Sequence, residues 1–301
     1  MSTVTGHANL IEVLEERVQS LFAEGQLEDA VRIAQTALDA ARRSTSSDPS
    51  NAPALVSALE VVGDIRRAQG LFSESESLYL EALDVADQVI GSIPAEQVAR
   101  VQGSLATVYD NSQLYDKAIP LYETALEIYR ELGNDFEDSA GKLGNNLAML
   151  YKEEGRYDDA EQTYAYAAQA FERANGKESE EAAAVYNNLG GLYQETGFPE
   201  QAREMHKIAL AIRESIFPDT QPEIAQSLCN LAAVSHRLHE FRAATENYEK
   251  ALKIFERNLP AERDNFAITS ENLAALHRDL KQDKKAAALE KRVTKALKKV
   301  S

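Results

Sequence analysis

Four asparagines, Asn146, Asn188, Asn230 and Asn272, stand 42 residues apart. A carboxamide both donates and accepts, so an even row of them can pair with a peptide backbone without reading its side chains. The same group can instead bond a neighbouring structural unit or cap a helix end. A helix interior disfavours asparagine, and on that ground the row is read as a recognition device. Other chemistry is sparse. The single cysteine, Cys229, lacks the spacing signature of a nucleophile and reads as a free structural thiol. His236 and His239 lie three apart, with His277 further on, but no carboxylate second shell accompanies them and no metal is expected. P-loop, G-x-G-x-x-G and H-E-x-x-H patterns are missing, so the chain is read as a non-enzyme without a cofactor.

The elements that must carry those asparagines repeat. Taking Gly155 as a mark, Leu147 and Tyr151 precede it by eight and four, and Tyr157, Ala160, Tyr164 and Ala167 follow. The pattern recurs around Gly197 and His239, and the full series of marks is Gly25, Gly70, Gln113, Gly155, Gly197, His239 and Lys281. Such a period indicates a repeat array of helical hairpins. Small residues at plus five and plus twelve let two helices approach closely, and the large residue at plus nine fills the space beside them. Hairpins are expected over 8–43, 53–90, 95–132, 138–175, 180–217, 222–259 and 264–301, the outer two imperfect as end caps. Residues 44–53 (STSSDPSNAP) break helices and read as a surface loop.

Composition agrees with this. Hydrophobic residues make up 44% of the chain, enough for a continuous core, and eight prolines with fourteen glycines are too few for a turn-rich β protein. One cysteine excludes internal disulfides and suits a reducing compartment; with no secretory signal or membrane span evident, a cytoplasmic location is expected. A net charge of −17 opposes nucleic-acid binding. The charge is uneven: residues 281–301 hold eight Lys/Arg against two acids, leaving the remainder with 24 basic against 47 acidic residues.

Leu147, Ala148, Tyr151, Gly155, Tyr157, Ala160, Tyr164 and Ala167 resemble the tetratricopeptide-repeat pattern. The 42-residue length, the Asn-Asn-Leu-Ala/Gly starts at Asn145 and Asn187, and the Gln221-Pro-Glu-Ile-Ala225 connector are similar to the repeats of kinesin light chains. A HEAT-type array also suits this period, but the regular Gly-x-Tyr-x-x-Ala turn argues against it. The resemblance implies an all-α tetratricopeptide-repeat solenoid of about seven hairpins, in a right-handed superhelix whose concave groove serves a protein or peptide adaptor. Fewer than ten residues precede the first helix in place of the family's long heptad region, so attachment to a motor by that route is not expected. The chain is more similar to the short bacterial light-chain-like proteins, some of which accompany bacterial tubulins.

In that family the groove is lined by one face of each first helix. Here the corresponding candidates are Asn145, Asn146, Met149 and Lys152; then Asn187, Asn188 and Gln194; then Asn230, His236 and Arg237; then Asn272 and Arg278. Gly191, Ala233 and Ala275 on that face leave room for a ligand's side chains or serve close helix packing. The charges are mixed, so the family's acidic cargo preference is not carried over. The basic tail reads as a capping helix with a solvated face, or as a docking strip for an acidic partner such as a tubulin surface or another copy. The expected partner is a protein or peptide, a bacterial tubulin among the candidates, with the chain itself monomeric or weakly self-associating. The alternative is a small-ligand-sensing regulator.

Overall fold

The computed structural model describes residues 17–18, 20–21, 24, 26–89 and 91–299. It is 85% helical, with thirteen α-helices and no strand among the described residues. In chain order these are α1 (Leu27–Ser47), α2 (Ala52–Ala68), α3 (Phe72–Gln88), α4 (Ala95–Asn111), α5 (Tyr115–Leu132), α6 (Glu137–Glu153) and α7 (Tyr157–Asn175). They continue as α8 (Glu180–Thr196), α9 (Pro199–Ile216), α10 (Pro222–Arg237), α11 (Phe241–Arg257), α12 (Arg263–Asp279) and α13 (Asp283–Leu297). From α2 onward they pair as hairpins, an even-numbered helix followed by an odd-numbered one. The turn expected at Gly25 lies outside the described residues. The chain divides into two compact units, residues 1–143 and 144–301, the boundary falling inside α6.

The repeat mark is the point where the first helix of a hairpin stops. Gly70, Gly155 and Gly197 have φ of 76°, 73° and 86°; Gln113, His239 and Lys281 adopt φ of 58°, 61° and 57° at the same mark. The next residue's N–H then donates to the carbonyl five positions back: Leu71 to Arg66, Leu114 to Tyr109, Arg156 to Tyr151, Phe198 to Tyr193, Glu240 to Ser235 and Gln282 to His277, all at 2.7–2.9 Å. That closure satisfies a carbonyl left free at the helix end, and it needs a left-handed residue. A side chain there is strained by roughly 1 kcal/mol relative to glycine. Gln113→Gly is therefore expected to stabilise the first unit by about 0.5 kcal/mol after the unfolded-state entropy of glycine is counted. The measurement is the urea midpoint, and an unchanged or lowered midpoint would contradict it.

Packing follows the small–large alternation. Ala118, Ala160, Ala202 and Ala244 at plus five, and Ala82, Ala125, Ala167, Ala209 and Ala251 at plus twelve, are fully buried. Between them Tyr79, Tyr122, Tyr164, His206 and Tyr248 run from the second helix into the first. The Tyr79 hydroxyl donates to Asp64 at 2.7 Å and that of Tyr122 meets the Thr107 hydroxyl at 2.9 Å. Burial of each ring contributes on the order of 2 kcal/mol. Two glycines exist because of these rings. A Cβ on Gly63 would lie 2.6 Å from the Tyr79 ring, and one on Gly190 would lie 2.6 Å from the His206 ring. In the second unit the core runs through Ile224, Leu228, Tyr248, Leu252, Phe255, Phe266 and Leu273.

The connector at 44–53 is ordered by local bonds, against the loop expected. Helix α1 continues to Ser47, and Pro49–Asn51 form a 3-10 turn. The Asp48 carboxylate accepts from the Ser50 N–H at 2.9 Å, capping that turn, and the Asn51 amide reaches the Asp48 carbonyl at 3.2 Å. Ser, Asp and Asn break helices because they bond nearby backbone, and here those bonds start the 3-10 turn and tie it back to the end of α1.

Candidate partner-binding face

The sequence-predicted residues of the second unit fall into rows along α6, α8, α10 and α12, and the rows do different work. Ten positions before each mark stand Asn145, Asn187, Cys229 and Glu271. Asn145 accepts from the Asn188 amide at 2.9 Å, Asn187 donates to the Ser227 hydroxyl at 3.1 Å, and the Cys229 thiol meets the Thr269 hydroxyl at 3.2 Å. Each bond joins one first helix to the next. Glu60 holds the same position in the first unit, where it receives a two-pronged Arg100 at 2.6 and 2.9 Å. This row stitches repeats together.

Nine positions before the mark the outcome differs. Asn146 and Asn230 are half-buried and Asn272 is exposed, and their side-chain amides bond no described residue. Asn188 uses one hydrogen on Asn145 and keeps its carbonyl oxygen. Beside them Met149 is 46% exposed, and a Cβ built on Gly191 would meet nothing within 4 Å. Glycine at 191 is thus not demanded by helix packing; the space above it is open.

The charges at the ends of these helices are tied across repeats. Lys152 lies 3.7 Å from Glu195, Arg237 donates to the Gln194 carbonyl at 2.7 Å, and His236 lies 2.9 Å from Asp279. Arg278 pairs with Glu290, the residue that replaces the aromatic at plus nine in the last hairpin. Lys152 and His236 thus meet acids of the following repeat, Arg237 reaches back to a backbone carbonyl, and Arg278 is paired inside its own hairpin. Exposed pairs of this kind contribute little stability, and they leave a face of low net charge.

One polar chain lies outside the rows that the sequence marks. The His206 ring meets the Gln194 amide through Nε2 at 2.8 Å and the Asn187 carbonyl oxygen through Nδ1 at 3.0 Å. Those partners suit a neutral ring protonated on Nδ1, and burial pushes its pKa down to about 4. Asn187 continues to Ser227, whose hydroxyl also receives Arg213 at 2.9 Å. Arg213, 4% exposed, donates to both Glu180 oxygens at 3.1 and 2.7 Å and to the Glu223 carbonyl at 3.0 Å. The chain links the start of α8, the end of α9 and the start of α10. Asn187 and Gln194 are accordingly bonded inside the protein. A signal was present: His206 interrupts tyrosines at plus nine, and Arg213 interrupts Tyr129, Phe171 and Phe255 at plus sixteen.

Cys229 is mostly buried, and burial pushes its thiol pKa up to about 11, partly offset by Thr269. A thiol so held is protonated near neutrality and is a poor nucleophile. No group of three potential metal-ligating side chains occurs among the described residues. No helix among them is long and apolar enough to cross a membrane.

Comparisons with known proteins bear on the same residues. The tetratricopeptide-repeat family model matches residues 54–131, 138–215 and 223–299. The structure is similar to that of BtubC (BKLC) from P. vanneervenii, with 34% identity, a TM-score of 0.66, and coverage of 76% of this chain and 90% of that one. It is also similar to a kinesin light chain protein with nearly identical repeats from Podosopora anserina, with 18% identity, a TM-score of 0.59, and coverage of 69% and 98%. Among curated proteins no match is found.

Proposed function

Because the chain belongs to the tetratricopeptide-repeat family, in its kinesin light chain form, we propose that it is a protein-binding adaptor that holds an extended segment of its partner along α6, α8, α10 and α12. The asparagine row carries this reading. Asn146, Asn230 and Asn272 offer unbonded amides at a constant offset, flanked by open space at Gly191 and by the exposed Met149. Amides so spaced suit a backbone, whose own donors and acceptors alternate regularly. Met149 supplies an adaptable apolar contact, and the paired Lys152, His236, Arg237 and Arg278 form a rim that is nearly neutral. The similarity to BtubC supports a bacterial tubulin-like filament as the partner.

Co-sedimentation with polymerised bacterial tubulin tests both parts. Wild-type protein is expected in the pellet. Asn146→Ala/Asn230→Ala removes two amides and is expected to weaken capture by about 1–3 kcal/mol, roughly 5- to 150-fold. Wild-type protein left in the supernatant would reject the filament. Undiminished capture of the double variant would reject the face.

A further inference from the structure

Two features of residues 144–301 stand apart from the asparagine row, the second bordering its rim at Glu195. One is a cavity of about 410 Å³ between α11, α12 and α13. Leu252, Leu273 and Leu289 form its apolar walls, and Lys253, Lys285 and Arg292 stand on its lining with one acid, Glu249, while Arg292 lies 3.8 Å from Glu256 beyond the lining. His277, also on the lining, is 6% exposed, and its buried Nδ1 has no hydrogen-bond partner. The other feature is the turn between α8 and α9, where Phe198 is 50% exposed beside Tyr157 at 39%. Acids surround that pair: the Tyr193 hydroxyl donates to Glu161 at 2.6 Å, the Tyr157 hydroxyl lies 3.4 Å from Glu195, and Asp158 completes the edge.

We propose that these features are the two halves of one contact between copies of this chain. Phe198, with its acidic surround, seats in the leucine-walled cavity of the next copy, and the rim cations of that cavity meet Asp158 and Glu161. An exposed aromatic ring is a surface that gains by leaving water. The charges give direction. The segment from Lys281 onward carries eight basic and two acidic residues, whereas the rest of the chain is strongly acidic. Two acidic bodies repel at long range, but at roughly 0.1 M salt that repulsion is screened beyond about 10 Å, and the close opposite charges remain. The contact is heterologous, because the turn and the cavity are different surfaces. Each added copy presents a fresh turn or a fresh cavity, so assembly proceeds head to tail.

Sedimentation velocity over a wide concentration range, at roughly 0.1 M and 1 M salt, tests the proposal. The sedimentation coefficient is expected to rise with concentration at the lower salt and to rise less at the higher. Phe198→Ser and the pair Lys285→Glu/Arg292→Glu alter exposed side chains, and each variant alone is expected to remain monomeric. Mixed together they are expected to form dimers, because one keeps an intact cavity and the other an intact turn. Wild-type protein that stays monomeric overturns the proposal, as do single variants that associate like wild type, or a mixture that does not dimerise. None of these residues belongs to the asparagine face, so the outcome is independent of the filament test.

Discussion

Replacing Arg213 by alanine is expected to lower the stability of residues 144–301 by about 3 kcal/mol. The guanidinium is almost wholly buried and joins three helix ends through Glu180, Ser227 and the Glu223 carbonyl. Removing one member of a buried charge pair generally costs 3–5 kcal/mol, because its partner keeps the desolvation cost and loses the attraction. Here the Glu180 side chain is 34% exposed and can recover some water, which places the effect at the lower end, about 3 kcal/mol. Glu180→Gln keeps an acceptor for the guanidinium and is expected to cost about half as much. Urea unfolding of the two variants against wild type measures both. A loss below about 1 kcal/mol for Arg213→Ala would mean that the network is incidental to the packing around it.

Acidification is expected to destabilise the same region through His206. Its pKa in the folded protein, about 4, lies below the ordinary value of 6.5. The unfolded chain therefore binds the proton first as pH falls. The stabilisation is complete above pH 6.5 and is withdrawn as pH drops toward 4, with about 2 kcal/mol gone by pH 5. Most carboxylates remain ionised at that pH, so the effect is separable from general acid unfolding. His206→Tyr is the control. Gly63 faces Tyr79 in the register where Gly190 faces His206, so a tyrosine ring has room there. The variant should show a flatter stability profile from pH 7 to 5, and parallel profiles would refute the assignment.

The fold was legible because one arrangement is written repeatedly. A single Gly-x-Tyr-x-x-Ala stretch is weak, but alanine recurring at plus five and plus twelve leaves little alternative to close helix pairs. The marks were legible as spacing and not as geometry. Gln113, His239 and Lys281 do not announce a left-handed backbone, and only their alignment with Gly70, Gly155 and Gly197 does so. Residues 44–53 read as a loop because composition registers that Ser, Asp and Asn bond locally, and does not say that those bonds close an ordered 3-10 turn between two helices.

At the candidate site the limit was angular. Asn145 and Asn146 are adjacent in sequence and about 100° apart on the helix. That rotation turns Asn145 into a bond with the next repeat and leaves Asn146 half-buried with its amide unbonded to any described residue. Periodicity identifies both rows, whereas their division of labour depends on what the following helix presents. Ser227, Thr269 and Asn188 provide those partners from sites 40 to 43 residues away. The His206–Arg213 chain required noticing that two aromatic positions turn polar in the same hairpin.

That coincidence bears on how such chains lengthen and shorten by duplication. A hairpin whose joints are alanine and tyrosine can be copied, lost or transplanted, since any neighbour of the same type receives it. The α8–α9 hairpin is not interchangeable in this way. Its Asn187 and Arg213 both converge on Ser227 of the hairpin that follows. A graft that moved α8–α9 without α10 would keep the Arg213–Glu180 pair but remove the Ser227 hydroxyl from both Arg213 and Asn187, leaving buried polar groups short of a partner, so the two modules are best inherited, or engineered, together.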